Sequence, residues 1–397
     1  MIVENRRARA HLDVPLILMV AAMSIFGVLA ISVATFSVNS SADESLLGHI
    51  VGSQSAIRQC FFLLLAPVII SFFLAIPYDW LRMRARFFYV GATGLVFVTL
   101  VTNGAEGVKA WTDLIWGYTI QPSEFIKLAL ILILARDLSK YDKPMSTVKQ
   151  FVHFMLLVGI PMLIVLASGE MGSMLVVVFI FAVMLFFSGV DMRLLIAMGI
   201  AAVLAVMLIY GLAVASGSDN YRLLRILAFI NPEQYSSTDA YQQTQAKIAI
   251  GSGGFSGIGM FVNGSMSQLN YVPADWTDFI FATIGEAWGF VGCCCVLLMY
   301  LLIILRMLYL AYYTRDKYGM LVIIGVMAML LFHVFENIGM NIGLMPITGI
   351  PLPFVSYGGS NMTTNIAGIG LVLNVTRNRS LTASTITPRY YRSSSRL

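Results

Sequence analysis

The stretch VPLILMVAAMSIFGVLAISVATF, Val14–Phe36, decides the class of fold. It carries no charge and is longer than the ~20 residues an α-helix needs to cross a hydrocarbon core. Arg6, Arg7 and Arg9 precede it. The run exceeds the apolar part of a cleavable signal, so it reads as a first span with its basic flank inside. The same character runs through the chain. Of 397 residues, 58% are hydrophobic and 11% charged, and the mean hydropathy is +0.83. Soluble domains carry about 25% charged residues. A soluble core could not hide this much apolar surface, which excludes a soluble globular enzyme, a disordered chain and a nucleic-acid-binding protein. The expected fold is an all-α integral membrane protein.

About ten spans are predicted, at 13–36, 57–77, 87–102, 121–136, 150–168, 171–189, 193–215, 278–305, 318–341 and 359–376. They make a membrane domain, 13–376, between a short N-terminal segment, 1–12, and a Ser/Thr/Arg-rich tail, 377–397. With the N-terminus inside, nineteen of the 25 Lys and Arg residues fall on the inner side. Only Arg58, Lys109, Arg222, Arg225 and Lys247 fall outside, and Lys127 lies within a span. That bias predicts that both termini are cytoplasmic. Cys60 and the run Cys293–Cys295 form no metal pattern, because consecutive helical positions point about 100° apart. They read as small apolar residues.

One long outward loop, 216–277, separates spans seven and eight. It holds Tyr221, Tyr235, Tyr241, Tyr271 and Trp276, too many aromatic residues for disorder, so it should fold back onto the membrane domain. Its stretch GSGGFSGIG, Gly251–Gly259, suits either a phosphate-cradling nest or tight turning of a re-entrant segment.

Ionisable residues inside spans are expensive and need a reason. Glu124 and Lys127 stand at i, i+3, the spacing of an ion pair, as do His333 and Glu336, beside Asn337. Glu286 lies within span eight. These five read as structural intramembrane polar residues. Asp278 differs, because it opens span eight at the outer surface, where the helix dipole favours an anion. It reads either as an N-cap or as a general base open to the outer leaflet.

Three unusual segments meet on that outer face: Lys109 and Trp111 in one loop, Asp278, and the Pro/Gly connection GLMPITGIPLPFVSYGGS, Gly343–Ser360. Pro346, Pro351 and Pro353 interrupt any helix there. Irregular backbone at membrane depth survives only where protein buries it or a cavity lies beside it. A transporter would concentrate such features near the midplane instead.

These residues resemble the SEDS family (shape, elongation, division and sporulation proteins). The matching pieces are GVKAW (107–111), QPSEFIKLA (121–129), YQQTQAKIAIGSGGFSGIG (241–259), TDFIFATIGE (277–286) and NIGMNIGLMPITGIPLPFVSYGGS (337–360). The last is more like the RodA elongation branch than the FtsW division branch, with the sporulation branch, SpoVE, close by. Departures from the family pattern are Ala110 for Arg, Glu170 for Asp within GEMGS (169–173), Trp276 for His, and Ala287 for a second Glu.

The resemblance implies a peptidoglycan glycosyltransferase of the bacterial cytoplasmic membrane. It would polymerise lipid II, the undecaprenyl-diphosphate-linked disaccharide peptide, on the outer face for elongation and cell shape. Its partners would be a class B penicillin-binding protein and other membrane proteins of the elongation complex, with no nucleic acid. A β-1,4 link made from an α-linked diphosphate implies inversion, and Asp278 matches the family's proposed catalytic acid/base position. Lys109, Arg222, Arg225 and Lys247 are candidates to stabilise the diphosphate, or else interfacial anchors. Trp111 suits a sugar site or an interfacial belt. Ser356 and Ser360 are further substrate-binding candidates. A divalent cation, Mg or Mn, could share the diphosphate's charge, though no ligand cluster identifies a metal site. A lipid II flippase and a non-catalytic scaffold are the competing readings.

Overall fold

A computed structural model describes residues 12–36, 45–102, 112–113, 119–215 and 238–383. Twelve helices order the described residues: α1 Val14–Ala34, α2 Leu46–Gly52, α3 Gln54–Ala75, α4 Tyr78–Thr102, α5 Pro122–Leu138, α6 Val148–Ala167, α7 Met171–Ser188, α8 Met192–Ala215, α9 Thr238–Ser252, α10 Ile280–Tyr312, α11 Lys317–Asn341 and α12 Gly359–Ala383. Between α4 and α5, β1 (Thr112–Asp113) and β2 (Thr119–Ile120) pair antiparallel, a hairpin the sequence did not announce. Among the described residues seven helices, α1, α3, α4, α6, α7, α10 and α11, are long and apolar enough to cross a membrane. Each predicted span falls on one long helix, but α4 starts earlier than expected. Arg82, Arg84 and Arg86 therefore ride on its first turns.

Helices α5 and α11 are apolar almost all round and lie at the centre. Helix α11 packs against α5, α7, α10 and α12. A helix without a polar face belongs where neighbours cover every side. The outer helices invert the soluble pattern. On α3, Phe61, Leu64, Val68 and Phe72 are all exposed, as expected of a surface bathed in lipid.

Polar pairs close one end of the bundle. Asp13 caps α1 through the N–H of Leu16 (3.1 Å) and takes a two-pronged bond from Arg306 of α10 (3.0 and 2.7 Å). At the same end, Tyr78 donates to Asp316, the N-cap of α11, and Lys317 donates to the Tyr141 carbonyl (2.6 Å).

The described part of the long loop, 238–279, folds back on the opposite end. Gln243 of α9 donates to the carbonyls of Met340 (3.0 Å) and Met345 (2.9 Å). Phe261 stacks on His49 (3.8 Å between centroids) and meets Phe36 edge-on (5.6 Å), fastening the loop to α1 and α2.

The glycine stretch has a role that neither sequence reading named. Helix α10 breaks at Gly289 (φ 63°, ψ −160°). A broken helix frees backbone groups that hydrocarbon cannot satisfy. Here the loop supplies the partners. Ile258 and Gly259 donate to the carbonyls of Glu286 (3.0 Å) and Ala287 (3.1 Å). Phe290 and Val291 donate to those of Gly254 (2.9 Å) and Phe255 (3.1 Å). Only glycine permits this approach. A Cβ on Gly257, itself at φ 85°, would lie 2.2 Å from the Ala287 oxygen, and one on Gly289 would lie 2.3 Å from the Gly257 nitrogen. The glycines turn tightly against the helix: the Gly259 N–H is spent on α10, and those of Gly254 and Gly257 on the carbonyls of Gly251 and Gly253 within the loop.

Candidate active site

Asp278 stands two residues before the first residue of α10, and the N-cap position belongs to Phe279, which makes no side-chain cap. Asp278 is therefore not an N-cap. The capping is done from another helix. Asn341 Oδ1 accepts the N–H of Ala282 (3.1 Å), while its Nδ2 donates to the carbonyls of Asp278 (3.1 Å) and Asn337 (2.8 Å). Asn337 Nδ2 donates to the carbonyls of Asp278 and Ile350 (2.8 Å each). The i, i+4 spacing places both asparagines on one face of α11.

The two residues before Asp278 are held in the same way. Ser356 Oγ donates to the Thr277 carbonyl (2.5 Å) and accepts the N–H of Leu352 (2.8 Å). Tyr357 N–H donates to the Trp276 carbonyl (3.0 Å). Three consecutive carbonyls are thus anchored by α11 and the Pro/Gly connection. This anchoring acts through the backbone and none of it engages the Asp278 carboxylate.

That carboxylate borders a cavity of about 360 Å³. A Cβ on Gly349 would lie 3.4 Å from Asp278 Oδ2, so the acid lies against the Pro/Gly connection. The walls come from five places: Gln121 and Glu124 at the start of α5, Glu170 and Ser173 at the start of α7, the Thr277–Asp278 turn, Thr348 to Pro351 of the Pro/Gly connection, and Tyr357, Gly358, Ser360 and Asn361. Ser360 accepts the Gln121 N–H (3.1 Å) and lines this cavity. Glu170, noted in the sequence only as a departure, enters the site and accepts a hydrogen bond from Ser123. Burial pushes its carboxyl above the usual range, the neighbouring Glu124 adds to that, and hydrogen bonds from Ser123, Gln121 and Ser173 oppose it.

The remaining candidates separate. Ser356 is 2% exposed, spends its hydroxyl on the backbone and does not line the cavity, so the structure gives it an anchoring role in place of substrate contact. Lys247, on α9, runs alongside Gly343 and is also absent from the cavity wall. Lys109, Trp111, Arg222 and Arg225 lie outside the described residues.

The intramembrane polar residues regroup. Lys127 bonds Glu124 Oε1 (2.6 Å) as expected, and also meets His333 Nε2 (3.0 Å) across from α11. His333 thus joins the α5 pair rather than Glu336. Glu336 accepts from Thr348 (2.9 Å), and Glu286 accepts from the N–H groups of Met266 (2.6 Å) and Ser267 (3.1 Å) and from the Ser267 hydroxyl (2.7 Å). All five are at most 3% exposed. Among the described residues, no group of three or more His, Cys, Asp or Glu is arranged to hold a metal ion.

Helices α5 and α12 also line a second space. An apolar groove of about 1000 Å³ runs between α3, α4, α5 and α12, lined by residues such as Phe72, Trp80, Phe88, Leu128 and Leu371. The two spaces share the first turns of α5 and α12. Glu124 and Asn361 face the cavity, while Phe125 and Thr363 face the groove.

The family model described as "Cell cycle protein", covering FtsW, RodA and SpoVE, matches residues 14–381. This chain belongs to that FtsW/RodA/SpoVE family. Among its members, peptidoglycan glycosyltransferase MrdB of Escherichia coli K12 is 32% identical over 95% of this chain and 97% of its own. Stage V sporulation protein E of Bacillus subtilis is 32% identical over 81% of this chain and 86% of its own. The rod shape determining protein RodA of Thermus thermophilus superposes with a TM-score of 0.66 at 26% identity, covering 93% of this chain and 97% of that one. A chain from a structure described as a peptidoglycan synthase complex that coordinates polymerization and crosslinking gives a TM-score of 0.75 at 27% identity, over 93% and 98%. The family's span of the sequence includes every segment that lines the cavity.

Proposed function

We propose that this protein is a peptidoglycan glycosyltransferase that polymerises lipid II, with Asp278 as the general base. The observation that carries the reading is a polar cavity beside Asp278 and an apolar groove lined by neighbouring residues of the same helices, α5 and α12. A substrate with a polar, sugar-bearing head and a long hydrocarbon tail needs both kinds of space. The relatives named peptidoglycan glycosyltransferase support the same chemistry.

In this reading the acceptor sugar enters the cavity with its 4-hydroxyl toward the Asp278 carboxylate. The carboxylate takes the hydroxyl proton as the oxygen attacks the donor's anomeric carbon. The bond to the diphosphate breaks on the opposite face, so configuration inverts. General-base catalysis supplies about 10²–10⁴-fold. Positioning supplies more, and the backbone anchors at residues 276–278 are built for it. The described residues offer no metal cluster, so no step is assigned to Mg or Mn. Lys109, Arg222 and Arg225 are the proposed source of positive charge for the diphosphate, since Lys247 does not line the cavity.

In this reading the chain makes ten spans with both termini cytoplasmic and the cavity opens on the outer face of the cytoplasmic membrane; Arg306 and Lys317 at the opposite end support that orientation. Likeness to a RodA structure supports the elongation branch, and likeness to a synthase complex supports a cross-linking partner of the class B penicillin-binding type. A flippase would need its polar residues along a path, whereas Glu124, Lys127, His333, Glu336 and Glu286 are packed and buried.

The test is polymerisation of fluorescent lipid II by the purified protein with its cognate partner. Asp278→Asn should remain folded and inserted while glycan synthesis falls at least about 10²-fold. Full activity of that variant removes the base assignment.

A further inference from the structure

Asp275 stands three residues before Asp278. The turn that carries both is built on the Ala274 carbonyl, which accepts the N–H and hydroxyl of Thr277 (3.1 Å each) and the N–H of Phe279 (3.3 Å). Ala274 itself sits at φ 59°, in the left-handed region that disfavours a residue with a Cβ. Within this turn the Asp275 side chain is 0% exposed, and neither carboxyl oxygen has a hydrogen-bond partner. The backbone N–H groups of Trp276 and of Asp275 itself act on the carboxyl and partly oppose the effect of burial.

Glu286 of α10 is the charged side chain that acts on Asp275, and its sign is the same. Among the described residues, no basic side chain from α9, α10 or α11 compensates it. Glu286 is itself committed to Met266 and Ser267, the other leg of the loop. A neutral acid fits this site, whereas a buried, unpaired carboxylate is strongly opposed.

Resting on the reading of Asp278 as the base, we propose that Asp275 is a positioning residue. Its uncharged side chain seats the 274–279 turn against α10 and so aims Asp278 into the cavity, and its ionisation unseats the turn. The sign follows from linkage. Burial and Glu286 raise the Asp275 carboxyl well above the usual range in the seated form. The seated turn therefore binds the proton more tightly than the unseated one. Seating is strongest below the ordinary Asp value of about 4 and weakens as pH rises towards the raised value.

Hydrogen–deuterium exchange on the full-length protein in nanodiscs, corrected for intrinsic rates, tests this between about pH 6 and 9. In the wild type, protection of the Thr277 and Phe279 amides, which close the turn, should fall about tenfold or more across that range, while α11 stays constant. In Asp275→Asn the protection should not change with pH. The polymerisation rate should follow, with an alkaline fall in kcat in the wild type that Asp275→Asn lacks, at unchanged KM. Flat protection in the wild type overturns the proposal, as does a wild-type slope retained in Asp275→Asn. Should that variant not fold, the wild-type exchange decides alone. Exchange also separates the two readings, since a protein that shows the slope but makes no glycan counts against the enzymatic reading and not against the seating of the turn.

Discussion

Asn337 holds Asp278 by its main chain: one side-chain amide nitrogen donates at 2.8 Å both to the Asp278 carbonyl and to that of Ile350. The bond joins three parts of the chain, α11, the turn before α10 and the Pro/Gly connection.

Asn337→Ala should therefore damage catalysis more than a distant core change of equal cost. Loss of the donor weakens two buried carbonyls, at about 1–3 kcal/mol for each group left unsatisfied. A misplaced base lowers the rate by up to about 10²-fold. Thermal unfolding in detergent and lipid II polymerisation, measured on the same preparation, should show both losses. Polymerisation at the wild-type rate would mean that Asn341 suffices.

Glycine substitutions should divide sharply. Gly257→Ala would force a Cβ to within 2.2 Å of the Ala287 oxygen at a positive φ, and should abolish the folded loop. Gly251→Ala meets nothing within 4 Å and should be neutral, or stabilising by up to about 1 kcal/mol on helix α9. Limited proteolysis of the loop reads both. Equal sensitivity in the two variants would contradict the close approach.

Lys127 and Glu124 form a pair buried at 1% and 2% exposure. Lys127→Met strands the carboxylate and should cost about 3–5 kcal/mol. Adding Glu124→Gln should recover much of that stability. A double variant no more stable than the single one would show that a stranded Glu124 carboxylate is not the source of the loss.

Glu170 predicts a pH dependence of stability. Its carboxyl is raised in the folded protein, chiefly by burial. The folded state thus holds the proton more tightly than the unfolded state. The contribution is complete below the unfolded value of about 4.3 and is lost as pH rises through the raised folded value. Glu170→Gln removes this slope, so its melting temperature should gain on the wild type as pH rises from about 4 to 8. Parallel curves would show that Glu170 ionises normally.

Much of this architecture was legible in the residues. Uncharged runs such as Val14–Phe36 announce spans because hydrocarbon admits no alternative. The spacing of Glu124 and Lys127 announced their pair. What stayed hidden was long-range. The cap reading of Asp278, offered beside the general-base one, rested on a local rule, whereas Asn341, from another helix, does the capping. The i, i+4 asparagines at 337 and 341 were the signal, since two amides on one buried helical face need partners. The break at Gly289 was invisible because the partner strand of backbone lies some thirty residues upstream, about the reach of a supersecondary unit. Ser356 looked like a ligand contact because nothing in its neighbourhood revealed the Thr277 carbonyl it serves.

The anchors on Trp276, Thr277 and Asp278 come from α11 and from Ser356 and Tyr357, all later in the chain. A nascent polypeptide therefore cannot complete its reaction centre until nearly the whole protein has entered the bilayer. Prematurely terminated products would be catalytically silent.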